Sequence, residues 1–159
     1  MLKSSNAKYF EVAKRAVEIA RTEFLNYRNK IGESPKYPDY ITFSKFATCF
    51  DILGDIEFSM KLHEAALRGV NADKSDDAAA FRLVISANYL LTLEKNNNRQ
   101  KVDEVIQKLK NYLDEYFSQV NTYSMKVPFE NWKELLDCVE KNSADKIAVL
   151  EKMSRAILL

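Results

Sequence analysis

Apolar residues at alternating intervals of three and four constrain the fold of this chain more than any other feature. They run through its N-terminal part as Phe10, Ala13, Val17, Ala20, Phe24, Tyr27 and Ile31. In an α-helix this spacing places every one of them on the same face. The pattern therefore predicts a long helix over residues 1–32 whose apolar seam packs against other helices and covers one end of the protein.

Glycine and proline are scarce, with three of each among 159 residues. A β-rich fold of this length needs many more turn residues. The prolines lie at Pro35, Pro38 and Pro128, all between predicted helices, where a helical protein tolerates them. Because 47% of the residues are hydrophobic, the chain can bury a core. We predict a single all-α domain over residues 1–159.

Six further helices are predicted, and they pair into three antiparallel hairpins over residues 39–71, 77–120 and 129–158. Gly54-Asp55 divides the first hairpin, and asparagine-containing turns at 96–98 and 142–143 divide the other two. The predicted helix over residues 77–95 is apolar on nearly every side, which indicates a central position. Two arrangements remain open: a right-handed α-solenoid of stacked hairpins, or an irregular helical bundle.

The first hairpin resembles a tetratricopeptide repeat. The first helix of that repeat carries large, aromatic and small residues in a fixed order, and a Gly-Asp type of turn and small residues in the second helix follow it. The corresponding residues here are Phe43, Phe46, Ala47, Phe50, Gly54, Asp55 and Ala66. Three positions depart from the pattern: Ser59 replaces the usual Ala, His63 replaces an aromatic residue, and Asn71 replaces the closing proline. The resemblance covers about a fifth of the chain.

The resemblance implies a concave groove that binds a peptide or a helix of a partner protein. Residues on the open face of the first helix of each hairpin would line it, namely Ser44, Thr48, Asp51, Val84, Asn88, Leu91, Lys133 and Asp137. The form of this family that clamps a C-terminal carboxylate needs Lys, Arg and Asn at such positions. Only Asn88 and Lys133 are of that kind, so no carboxylate clamp is expected. The predicted function is that of a non-catalytic protein-binding module, a scaffold or adaptor.

No pattern of residues predicts catalysis, a metal site or a cofactor. The single histidine, His63, cannot form a His-rich metal site, and we expect it to pack between helices. There is no Glu-x-x-His motif of the kind that di-iron bundles use and no glycine-rich phosphate loop. The two cysteines, Cys49 and Cys138, lie in apolar helical patterns and are expected to be buried and reduced.

Charge and hydropathy narrow the class of partner. The chain has 24 basic and 23 acidic residues, so its net charge of +1 lacks the basic excess of most nucleic-acid binders. Lys14, Arg21 and Arg28 form a basic stripe on the first helix, which we expect to be solvated. With no leader-like start and no run of 18 apolar residues, the chain is expected to be cytoplasmic and not membrane-bound.

Two alternatives to a groove binder remain open from the sequence. One is a stand-alone intracellular inhibitor, of the immunity or anti-defence type, that blocks one folded target. The other is an RNA-binding helical repeat, whose affinity would fall steeply with salt. Separately, the apolar residues near the end of the chain, within residues 153–159, predict self-association through the last helix or continuation into a longer protein.

Overall fold

Seven helices make up the parts of the chain that the computed structural model describes, residues 2–32, 35–119 and 129–158, with side chains over 11–32, 35–118 and 131–153. They are α1 (Leu2–Ile31), α2 (Asp39–Ile52), α3 (Ile56–Ala72), α4 (Asp77–Lys95), α5 (Arg99–Gln119), α6 (Phe129–Glu140) and α7 (Lys146–Leu158). No strand occurs in these ranges. The predicted all-α fold is confirmed, and the boundaries of α1 and of the three hairpins lie within one residue of prediction.

Helix α4 lies at the centre of the fold. It packs against α2, α3, α5 and α7, and 14 of its 19 residues are buried. A helix that is covered on so many sides has no need of a polar face, which explains its apolar sequence. Its predicted central position is confirmed.

Helix α1 joins the other helices through the C-terminal half of its seam. Phe24 is fully buried, with its ring centroid 5.0 Å from that of Phe43 and 5.6 Å from that of Phe58. In the described part of the N-terminal half, the seam residue Ala13 is exposed and Val17 is partly buried, and Val12 beside the seam is 63% exposed. The seam therefore covers one end of the protein as predicted, but only along part of its length.

Arg21 belongs to the basic stripe of α1 that was predicted to be solvated, and it also contacts residues outside α1. Its Nε donates a hydrogen bond to Asp55 Oδ2 at 2.5 Å, and its guanidinium lies 5.2 Å from the centre of the Phe58 ring. The pKa of Arg21 is raised, first by this hydrogen bond to Asp55. One member of the stripe thus connects α1 to the start of α3.

The third hairpin joins the others in an order that the sequence did not predict. Its second helix, α7, packs against α4, while its first helix, α6, packs against α7 and α5. The first two hairpins lie side by side through α2, α3 and α4. These helices therefore do not form a regular stack in which all three hairpins repeat the same contacts. Of the predicted self-association surface at the end of α7, Met153 is buried and the side chains beyond it lie outside the described residues.

The prediction that both cysteines are buried is wrong. Cys49 is exposed and Cys138 is partly exposed. Ala47 and Phe50 take the inward positions of α2, and the helical turn between them leaves Cys49 on the outer side.

Candidate partner-binding groove

A shallow groove of about 270 Å³ lies between α2, α4 and α7. We call it the α2–α4–α7 groove. It is lined by Thr48, Asp51, Ile52, Asn88, Leu91, Thr92, Lys95 and Glu151. Four of the eight residues predicted to bind a partner are among them: Thr48, Asp51, Asn88 and Leu91. The structure therefore brings together four of the six predicted residues of the first two hairpins.

The floor of the groove belongs largely to the protein core. Asn88, Leu91 and Thr92 are all buried. Asn88 Nδ2 donates a hydrogen bond to Ser44 Oγ at 3.4 Å, and Thr48 Oγ1 donates one to the backbone carbonyl of Ser44 at 3.1 Å. Ser44, predicted as a binding residue, is itself buried beneath the groove. The hydrogen bond from Asn88 connects α4 to α2, that from Thr48 lies within α2, and recognition is left mainly to the rim.

The rim offers charged and apolar side chains to a ligand. On the α2 side, Asp51 is partly exposed and Ile52 is 75% exposed. On the opposite side, Lys95 Nζ lies 3.6 Å from Glu151 Oε1 in an ion pair between α4 and α7. The Asp51 carboxylate forms no hydrogen bond or ion pair with any described side chain. Among the described charges of the rim, it is thus the one without a described partner.

The remaining predicted residues lie elsewhere. Val84 is one turn before Asn88 on α4, is partly buried, and does not line the groove. Lys133 and Asp137 are exposed on α6, in a second depression that α5 and α6 share. They are not brought to the groove because α7, not α6, packs against α4.

Sequence reasoning missed four groove residues. Ile52 and Lys95 each follow a predicted residue, Thr48 or Leu91, by four positions, so extending the same helical face by one turn would have found them. Thr92 likewise follows the predicted Asn88 by four positions, whereas Glu151 carried no such signal. Glu151 in particular depends on the order in which the third hairpin packs.

A buried carboxylate fixes α7 as one wall of the groove. The Glu94 side chain is 3% exposed, and Lys146 Nζ lies 2.6 Å from its Oε2. Arg99 Nη1 donates to the other oxygen at 3.4 Å and to the backbone carbonyl of Val139 at 2.9 Å. Arg99 thereby also satisfies a carbonyl in the last turn of α6. We call this cluster of Glu94, Arg99 and Lys146 the Glu94 junction.

His63 lies in the interior behind the floor of the groove. Its ring stacks on Tyr89 with centroids 5.3 Å apart, and its Nε2 is 3.3 Å from Thr92 Oγ1. Burial lowers the pKa of His63 to about 3. The ring is therefore neutral near pH 7 and packs between α3 and α4, which confirms its predicted place.

Two other classes of site find no support in the described residues. Within them, no three His, Cys, Asp or Glu side chains come close enough together to hold a metal ion. None of the described helices combines the length and apolar character that a membrane span requires.

Comparison of the chain with models of protein families, with curated proteins and with solved structures finds no match. The resemblance of the first hairpin to a tetratricopeptide repeat therefore stays a prediction. The function has to be inferred from the groove itself.

Proposed function

We propose that this chain is a non-catalytic protein-binding module that holds a peptide or a helix of a partner protein in the α2–α4–α7 groove. The observation that carries the proposal is that Thr48, Asp51, Asn88 and Leu91 line one open groove. The sequence predicts them on the open face of two helices. Thr48 and Asp51 are partly exposed, and the buried Asn88 and Leu91 form the floor beneath them.

The dimensions of the groove favour a macromolecular ligand. Enclosed pockets for small molecules usually have volumes of about 300–1,000 Å³ and surround most of the ligand. The groove, at about 270 Å³, is just below that range and is open to solvent along the exposed Ile52. A site of this shape holds one or two side chains of a larger partner whose remaining surface lies across the rim.

The walls of the groove are held in place before any ligand binds. The hydrogen bond from Asn88 to Ser44 links α4 to α2, and the Glu94 junction links α4 to α7. Because the three helices are already fixed, binding does not have to order them, and less free energy is lost on association.

The proposal is tested by capturing partners from a lysate of the source cells on the immobilised chain and identifying them by mass spectrometry. Thr48→Tyr places a large side chain in the groove without removing a core contact of Asn88. Gln107→Tyr, on an exposed face of α5, adds the same side chain away from the groove and is the matched control. Circular dichroism melting checks that both variants are folded.

We expect proteins held by the wild type and by Gln107→Tyr to be lost on Thr48→Tyr. Partners that stay bound to Thr48→Tyr would place the interface on another surface and contradict the proposal. A tight one-to-one complex with a folded protein on such a surface would favour the inhibitor alternative.

A further inference from the structure

We propose that the α2–α4–α7 groove selects a partner segment in which a Lys or Arg side chain pairs with Asp51 while a neighbouring apolar side chain covers Ile52. This inference rests on the proposed function and specifies the chemistry of the ligand. The charges around the groove, the position of Asp51 in its helix and the exposure of Ile52 support it.

The charges of the described groove residues leave one negative charge unbalanced. Lys95 and Glu151 neutralise each other across 3.6 Å on the α4 and α7 side. Asp51 stands on the α2 side with no described cation beside it. A ligand that brings a cation completes the set, whereas an acidic or phosphate-rich ligand meets repulsion.

The position of Asp51 strengthens the preference for a cation. It lies in the last turn of α2, where the backbone carbonyls give the helix end a partial negative charge. The last turn of α4 also contains a carboxylate, Glu94, but that turn has the basic residue Lys95, and Glu94 pairs with Arg99 and Lys146. The last turn of α2 has no basic residue and carries a carboxylate instead. That arrangement opposes the stability of the free helix, and a bound ammonium or guanidinium group would relieve it.

Ile52 supplies the apolar half of the recognition surface. It follows Asp51 directly, lines the same groove and is 75% exposed, the highest exposure among the large hydrophobic side chains of the described residues. Covering it removes apolar surface from water at the edge of the groove. A single cation bound to Asp51 would leave this surface uncovered, so the ligand is a segment of chain with both kinds of side chain.

The test is a selection of random 12-residue peptides displayed on phage against the immobilised full chain. Enriched peptides are synthesised and their affinities measured on the wild type, Asp51→Asn, Thr48→Tyr and Asp114→Asn. Asp51→Asn keeps the shape of the side chain and removes its charge. Asp114→Asn makes the same change at an exposed position of α5 and is the control.

We expect the enriched peptides to carry Lys or Arg beside a large apolar residue. Their affinity should fall about tenfold on Asp51→Asn and stay unchanged on Asp114→Asn, since a partly desolvated ion pair is lost only at Asp51. Peptides that Thr48→Tyr displaces but Asp51→Asn does not would overturn the proposed chemistry and leave the proposed function standing. A selection that yields no peptide displaced by Thr48→Tyr would overturn both.

Discussion

Helices α1 and α7 both flank the central helices of this protein, and different contacts hold them there. Helix α1 is attached by aromatic packing around the fully buried Phe24. Helix α7 is attached to α4 in part by an ion pair. Lys146, the first residue of α7, pairs with the buried carboxylate of Glu94 on α4. The ion pair that attaches α7 is thus buried, whereas in the ion pair of α1 with Asp55 the Arg21 side chain is half exposed.

The difference bears on function because only one of the two helices forms the groove. Helix α7 contributes Glu151 to the rim, whereas no described residue of α1 lines the groove. Loss of the α1 contact should therefore reduce stability and spare binding. Loss of the α7 contact should affect both. The predictions below separate these outcomes, from the largest expected effect to the smallest.

Phe24→Ala should have the largest effect on the free energy of unfolding. Removing a fully buried aromatic ring that contacts Phe43 and Phe58 leaves a cavity and costs about 4 kcal/mol. Urea denaturation measures the loss. Val12→Ala on the same helix removes a side chain that is 63% exposed and should change the value by less than about 0.5 kcal/mol. Equal effects of the two substitutions would contradict the attachment of α1 through Phe24.

Glu94→Ala should reduce stability by about 3 kcal/mol, because Lys146 is left largely buried without its counterion. It should also weaken partner binding, since α7 forms one wall of the groove. The control is Glu104→Ala, an exposed carboxylate on α5 near Lys101, for which we expect a loss below about 1 kcal/mol. If Glu94→Ala behaved like Glu104→Ala in denaturation, the Glu94 junction would not hold α7.

Acid should destabilise the protein through His63, the one histidine of the chain. Its pKa is lowered to about 3 in the folded protein and is about 6.5 when unfolded, so between these values only the unfolded chain binds the proton. The stability that the neutral His63 contributes is fully present above pH 6.5 and is lost as the pH falls. The loss between pH 7 and pH 5 should be about 2 kcal/mol.

Denaturation of His63→Phe across the same pH range measures this contribution. The variant should lose most of the slope between pH 7 and pH 5, whatever its stability at pH 7. The carboxylate of Asp73, whose pKa is lowered by hydrogen bonds from Ser75, stays ionised in this range and adds no slope. A slope that persists in His63→Phe would show that another group titrates.

Arg21→Gln should have the smallest effect. Its ion pair with Asp55 joins α1 to α3, but the Arg21 side chain is 50% exposed, so solvent and salt screen the interaction. We expect a loss below about 1 kcal/mol that shrinks further in 1 M salt. A loss as large as that of Glu94→Ala would remove the contrast between the two flanking helices.

The helices and the centre of the fold were predictable because their signals are local. The spacing of apolar residues along α1 and the uniformly apolar sequence of α4 each reflect the burial of one helix. The outward position of Cys49 was not recognised, although Phe50 beside it faces the core. A residue in a largely apolar helix is not thereby buried.

The part of the groove that α7 forms could not be predicted in this way. It depends on Lys146 pairing with Glu94, which is 52 positions earlier in the chain and has no periodic signal. The predicted residues on α6, Lys133 and Asp137, followed from the assumption that each hairpin packs in the same way. Instead α7 packs against α4, where Lys146 pairs with Glu94, and its Leu150 and Met153 join the hydrophobic core.

Hydrogen exchange of the chain with and without its captured partner tests the central claim most directly. A partner in the α2–α4–α7 groove should slow exchange in the C-terminal halves of α2 and α4, over residues 46–52 and 88–95, and leave residues 11–19 of α1 unchanged. Slower exchange confined to residues 11–19 would place the partner on the uncovered half of α1 and contradict the account.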